Sequence, residues 1–182
     1  FSQFARMPEP DCRPTNFSQF LRETILLQES GQPDVKFTLD LPKEAIWIDA
    51  DASMIGRAVT NLLKNAGESI DDRKAYQPDH EGEIRITAAQ TDRSVVVEIS
   101  DNGAGLPEDR ARLLEPYVTN RLSGTGLGLS IVVKTIEEHG GTFALNDAEA
   151  FDEAARPGAK AVIKLPRLPD RAAQKIDLGI PA

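Results

Sequence analysis

Lys36–Leu41 alternates, with Phe37, Leu39 and Leu41 set against Thr38 and Asp40. That period of two predicts a half-buried strand, and Ala45–Ile48 reads as its partner. From Ala52 the period changes. Ile55, Val59, Leu62, Leu63, Ala66 and Ile70 recur at three- and four-residue spacings, which predicts one long amphipathic helix to Ile70 with Asp51 as its N-cap. An earlier helix is predicted over Phe17–Ser30, carrying Phe17, Phe20, Leu21, Thr24, Leu27 and Gln28 at mixed helical spacings. Alternation returns in Glu83–Gln90 and Arg93–Ser100, where Val95, Val97 and Ile99 oppose Glu98 and Ser100. A short helix is expected around Asp109–Leu114. A further one runs to His139 and stops at Gly140–Gly141, a glycine C-cap. Thr142–Asn146 and Ala159–Leu165 predict a final strand pair. This order implies an α/β fold with a mixed sheet and helices packed on one face.

The interruptions divide the chain. Residues 1–16 hold three prolines and read as a helix end running into a linker. Asp71–Gly82 reads as a polar loop, DNGAGLP as a turn, and AEAFDEAARPG as the connection within the last strand pair. The tail Pro166–Ala182 has little periodicity. The chain has 182 residues, 40% apolar and 27% charged, which suits one domain with a core. A net charge of -8 argues against an obligate nucleic-acid partner, since a phosphate backbone needs a basic face. It says nothing against a nucleotide. The single cysteine, Cys12, excludes an internal disulfide, and with two histidines it cannot build a zinc site of the usual kind. No apolar run is long enough to span a bilayer, and Phe1–Pro10 is no signal peptide. The first residue is Phe, and a piece of a longer protein is expected.

Four segments carry candidate chemistry. GTGLGLS, residues 124–130, puts three glycines where a helix begins, although glycine in a helix interior costs about 1 kcal/mol against alanine. A tight turn explains this as well as a phosphate drawn to the helix N-terminus does. It lacks the Lys-Ser/Thr of a P-loop, and its spacing is GxGxG. NLLKNAGES, residues 61–69, sets Asn61 and Asn65 on one helical face with Glu68 beyond them. A hydrated metal ion would suit the two amides; taken alone, a solvated face is the simpler explanation. In ISDNGAGLP, residues 99–107, a strand delivers Asp101 to a sheet edge, and Gly103 and Gly105 let the backbone turn beneath a flat ligand. A carboxylate there can accept a hydrogen bond from the exocyclic amine of adenine, where guanine presents an oxygen. An Asp-Asn-Gly turn needs no ligand at all. LLEPYVTN, residues 113–120, could pin one end of a loop through Pro116 and Tyr117.

In this order the four segments resemble the nucleotide-binding domain of the GHKL superfamily, the Bergerat-fold ATPases, and within it the catalytic domain of bacterial sensor histidine kinases. Asn61–Ser69 is similar to their N box, Asp101–Gly105 to the first glycine box, Glu115–Thr119 to the F box and Gly124–Gly128 to the second glycine box. The likeness covers roughly Leu39 to Leu165 and implies a two-layer α/β sandwich. FSQFARMPEP resembles the end of the dimerisation helix in nitrogen-regulation kinases of the NtrY type. The implied organisation is the end of that helix, a linker and a first helix over 1–30, the ATP-binding domain over 31–168 and a tail over 169–182.

The resemblance implies ATP and Mg²⁺ as cofactors. Gly124, Thr125, Gly126, Leu127 and Gly128 would close on the triphosphate, Asn65 would coordinate Mg²⁺ and Asn61 would support that shell. One protein oxygen suffices for an octahedral ion that keeps its waters. Asp101 would read adenine above Gly103 and Gly105. Tyr117, Thr119 and Arg121 would belong to a lid over Leu106–Ser123. The F box departs from the usual pair of aromatics, reading Tyr117-Val118. Asn120-Arg121 stands where many relatives have a lysine, and Glu68 where some carry a basic phosphate contact.

Related ATPases place a water-activating glutamate at the first N-box position. Asn61 cannot act as a base, so the resemblance implies holding ATP for phosphoryl transfer over hydrolysing it. The implied partners are ATP or ADP, a dimerisation and histidine-phosphotransfer domain of the same parent, and a response regulator. The parent is expected to sit in the bacterial inner membrane with this domain in the cytoplasm. Two alternatives stay open, a nucleotide-binding regulatory module without phosphotransfer and an ATP-hydrolysing clamp, the latter disfavoured by Asn61. Neither His80 nor His139 lies in an acceptor motif of the His-Glu-x-x-Asn-Pro kind; His139 suits a helix C-terminus. Asp49 and Asp51 are explained by a strand end and an N-cap, and Glu137-Glu138 by a solvated helix face.

Overall fold

A computed structural model describes residues 8–110, 112–115, 126–151 and 157–169. Its elements in chain order are β1 (Arg13–Asn16), α1 (Phe17–Gly31), β2 (Val35–Asp40), β3 (Trp47–Ala50), α2 (Ala52–Lys74), β4 (Gly82–Gln90), β5 (Ser94–Asp101), α3 (Gly128–Glu138), β6 (Thr142–Asp147) and β7 (Ala159–Pro166). Five strands form one mixed sheet in the order β2-β4-β5-β7-β6. β2 runs parallel to β4, and the other pairs are antiparallel.

Alternation along the strands decides which face is covered. Ile84, Ile86 and Ala88 of β4, Val95, Val97 and Ile99 of β5, and Ala161, Ile163 and Leu165 of β7 are buried against the helices. The opposite face carries Arg85, Glu98 and Lys160, and Lys160 lies 3.8 Å from Glu98. The helical layer answers with Phe17, Leu21 and Ile25 from α1, the whole predicted stripe of α2, and Val132 and Ile136 from α3. Burying a large aliphatic side chain stabilises the fold by about 1.5–3 kcal/mol. This single interface is therefore the core.

Local capping fixes where the helices begin. The Asn16 side chain accepts from the Gln19 N–H at the head of α1. Asp51 accepts from the Ser53 and Met54 N–H groups at the head of α2, as expected of an N-cap. Those bonds, Met54 first, together with the Asp11 N–H, hold the Asp51 carboxyl below its ordinary range.

Three expectations change. Trp47–Ala50 does not pair with β2; it pairs antiparallel with β1, in a stretch that reads as linker, with Thr15 opposite Ile48. β2 takes β4 instead, because α2 supplies the crossover that a parallel pair requires. Alternation marks a strand but not its neighbour. α2 also runs one turn past Ile70, since Arg73 is buried and donates to the Asn102 carbonyl at 2.8 Å. Among Asp109, Arg110 and 112–114 there are turns, not a helix: the Leu113 N–H reaches only the Arg110 carbonyl. The stretch EDRAR has no apolar face to bury, and an isolated turn of helix does not sustain itself.

Candidate functional site

β5 ends by carrying Asp101 into the interior, where it is 4% exposed. Three elements converge on one carboxylate oxygen, Oδ1. The Gly103 N–H donates to it at 2.8 Å from the adjoining turn, the Ser69 hydroxyl at 3.2 Å from α2, and the Ala159 N–H at 3.4 Å from the start of β7. Gly158 permits the last of these, since a Cβ there would run into the Asp101 backbone carbonyl.

The turn after Asp101 is held from below. Asn102 accepts from the Glu83 N–H at 2.8 Å and donates to the Glu81 carbonyl at 2.9 Å, while Arg73 donates to its carbonyl. Gly103 packs so closely on α2 that a Cβ would strike Ser69 and the Ile70 backbone nitrogen. Gly105 has φ 81°, a left-handed conformation that favours glycine, and a Cβ there would lie 3.0 Å from the Pro157 carbonyl. Both glycines predicted to shape this turn are thus required by its backbone.

Asn61 and Asn65 stand on the α2 face four residues apart, both half-buried. Among the described residues neither amide takes part in a hydrogen bond. α3 packs against α2 and begins at Gly128. Its N-cap is Leu127, whose side chain cannot cap a helix, and Gly126 before it has φ 66°. A Cβ at Gly128 would meet nothing within 4 Å, so this glycine is not demanded by the protein's own packing. A helix N-terminus whose N-cap residue offers no side-chain acceptor, with open space at its first residue, can take an anion.

The other end of α3 is fastened to α2. His139 Nδ1 lies 2.7 Å from the Thr135 carbonyl, an acceptor only, so that nitrogen bears the proton. Nε2 then accepts the Asp51 N–H at 3.0 Å. The histidine is buried and ties the C-terminal end of α3 to the N-cap of α2.

Tyr117, Thr119, Arg121, Gly124 and Thr125 lie outside the described residues. Of the remaining predicted residues, Asp101, Gly103 and Gly105 share the turn at the end of β5; Asn61, Asn65 and Gly126–Gly128 share the facing helices. Glu68 lies 4.0 Å from Lys64 on the same helix. No cluster of three or more metal-ligating side chains occurs among the described residues. His80 is half-buried near the start of β4, its N–H donating to the Gln77 carbonyl, and Cys12 is exposed. The sequence did not single out Ser69, Arg73, Gly158 or Ala159 individually. Gly158 alone carried a signal, as a glycine directly ahead of a strand.

A family model described as histidine kinase-, DNA gyrase B- and HSP90-like ATPase matches residues 50–169. Over 151 residues the chain is 48% identical to the nitrogen regulation protein NtrY of Azorhizobium caulinodans, which takes in 81% of this chain and 19% of that protein. It therefore spans about a fifth of that relative's length. The solved catalytic domain of the histidine kinase ThkA is similar with a TM-score of 0.72 and 27% identity, over 88% of this chain and 99% of that one. ThkA has also been solved in complex with the response regulator protein TrrA; there the TM-score is 0.69 at 25% identity, over 89% of this chain and 43% of that one.

Proposed function

The chain belongs to the family of histidine kinase-, DNA gyrase B- and HSP90-like ATPases, and from that premise we propose that it holds Mg-ATP for phosphoryl transfer to a histidine on a separate dimerisation domain of a two-component sensor kinase. The observation that carries this is Asp101, a buried carboxylate gripped from three elements at the mouth of the sheet. A carboxylate so fixed is a hydrogen-bond acceptor of set direction, which suits the exocyclic amine of adenine.

The described residues fit the nucleotide. A Cβ at Gly128 would meet nothing within 4 Å, and the N-cap of that helix makes no side-chain cap hydrogen bond. Among the described residues, the amides of Asn61 and Asn65 on the facing helix make no hydrogen bond. Bound as its magnesium complex, ATP supplies a transferable phosphoryl group. Asn65 would hold the ion through its amide oxygen, since Mg²⁺ retains water and needs few protein ligands. Asn61 supports that shell and has no basic group with which to activate water. The start of α3 orients the phosphates. Tyr117, Thr119 and Arg121 would close over them from the segment before α3. A response regulator would draw its phosphate from the modified histidine; ThkA, a similar kinase, has been solved in complex with one.

Radiolabelled ATP tests this. The chain should bind ATP yet incorporate no label, because neither His80 nor His139 lies in an acceptor motif. Label should appear weakly on an added helical hairpin bearing an acceptor histidine, since tethering normally supplies the effective concentration. The product should survive alkali and be lost in acid, as a phosphohistidine is. Asn65→Ala should weaken ATP binding more with Mg²⁺ than without it. Steady phosphate release with no acceptor present, or self-labelling lost on replacing His80 or His139, would overturn the reading.

A further inference from the structure

Ser69 stands four residues beyond Asn65 on α2 and is buried at 9% exposure. Of the described donors to Asp101 Oδ1, Ser69 contributes a side-chain hydroxyl, while Gly103 and Ala159 contribute backbone N–H groups. The direction of its bond is fixed by a second contact. The Ala104 N–H donates to Ser69 Oγ at 3.1 Å, so the hydroxyl proton is left to point at Asp101. The same Ala104 N–H also lies 3.0 Å from the Ser69 carbonyl. Ser69 therefore touches both sides of the glycine turn and is the link between that carboxylate and the helix carrying Asn61 and Asn65.

Rotation of an aspartate carboxylate about its last torsion is broad unless hydrogen bonds restrict it. Backbone donors fix Asp101 relative to its own turn and to β7, but only Ser69 registers it against α2. We propose that Ser69 is a positioning residue for nucleobase recognition: it sets the plane of the Asp101 carboxylate so that a base with an exocyclic amine is preferred. This rests on the reading of Asp101 as the adenine acceptor and goes further, assigning the discrimination in part to a hydroxyl that never touches the base.

Ser69→Ala is a clean variant. It leaves the Ala104 N–H bonded to the Ser69 carbonyl and leaves Asp101 with two backbone donors, so no backbone group is orphaned. Calorimetry should compare ATP with purine riboside triphosphate, which has the same sugar and phosphates but no exocyclic amine. The unmodified chain should favour ATP by about tenfold or more, the worth of a hydrogen bond to a charged group. In S69A the affinity for ATP should fall by about fivefold, while that for purine riboside triphosphate stays within about twofold, because only the amine contact is loosened. Equal losses for both nucleotides, including failure to bind either, would make Ser69 a structural residue and overturn the proposal. Unchanged affinity for both would overturn it too. If the unmodified chain itself fails to distinguish the two nucleotides, the adenine reading of Asp101 is wrong, and that result appears before any substitution is made.

Discussion

Asp101 holds the turn after β5 with the same carboxylate that is proposed to read adenine, and substitution should separate the two roles. Asp101→Ala removes the acceptor shared by Gly103, Ser69 and Ala159 and costs stability accordingly. The β4–β5–β7 ladder does not pass through the side chain. The fold should therefore persist while affinity for ADP falls by about 1.5–3 kcal/mol, the contribution of a hydrogen bond to a charged group. Titration calorimetry with circular dichroism on the same sample checks both halves. Unchanged ADP affinity in the folded variant would remove Asp101 from the adenine site. At this scale the sequence was informative where a residue type is costly: glycines 103 and 105 are out of place unless a turn or close approach needs them. It was silent on Ser69 and Ala159, because a hydroxyl and a backbone N–H look alike everywhere along a chain. Only the fold brings Ala159 to a residue 58 positions away.

Between elements, the fastening that matters most for the site is at the end remote from it. His139 accepts the Asp51 N–H, so α2 and α3 are joined where neither carries a predicted nucleotide contact. The middle of α2, with Asn61 and Asn65, and the start of α3, with Gly126–Gly128, lie away from that joint. His139→Ala strands that N–H in a part-buried position and opens a gap beneath the glycine cap. Thermal unfolding should show a loss of about 1–3 kcal/mol, the penalty of an unsatisfied buried donor. Asp51→Ala, which removes the N-cap at the same junction, should cost about 1 kcal/mol. The two losses should add to less than their sum, because both loosen one joint. Strict additivity would show the joint to be two independent contacts. Element existence was readable from periodicity: the apolar stripe of α2 and the alternation of β5 both lie in the core as expected. Pairing was not. Nothing in Trp47–Ala50 distinguishes β1 from β2 as a neighbour, since one inward isoleucine fits either edge.

Across the whole molecule, the net charge is -8, and no helix among the described residues is long and apolar enough to cross a membrane. The α/β class was legible because the order of periods, helix to strand to helix, admits few layer arrangements. Tyr117, Thr119 and Arg121 rest on motif likeness alone, and periodicity does not reach them. The grip on Asp101 has one more consequence, in time. β4 and β5 are joined by a tight turn in which the Thr91 N–H donates to the Ser94 carbonyl, and hairpins of this kind form within about 1–10 μs. β7 pairs with β5 only after a much longer stretch of chain has been closed, and closure of long loops slows folding. During refolding, amide protection in Ile84–Ile99 should precede the binding of a fluorescent ATP analogue, with pulsed hydrogen exchange and stopped-flow fluorescence reading the two. Simultaneous onset would mean that the hairpin does not lead. A chain still emerging from the ribosome would, on this order, possess a folded hairpin long before it possessed a nucleotide site, and could not engage ATP until β7 had been made.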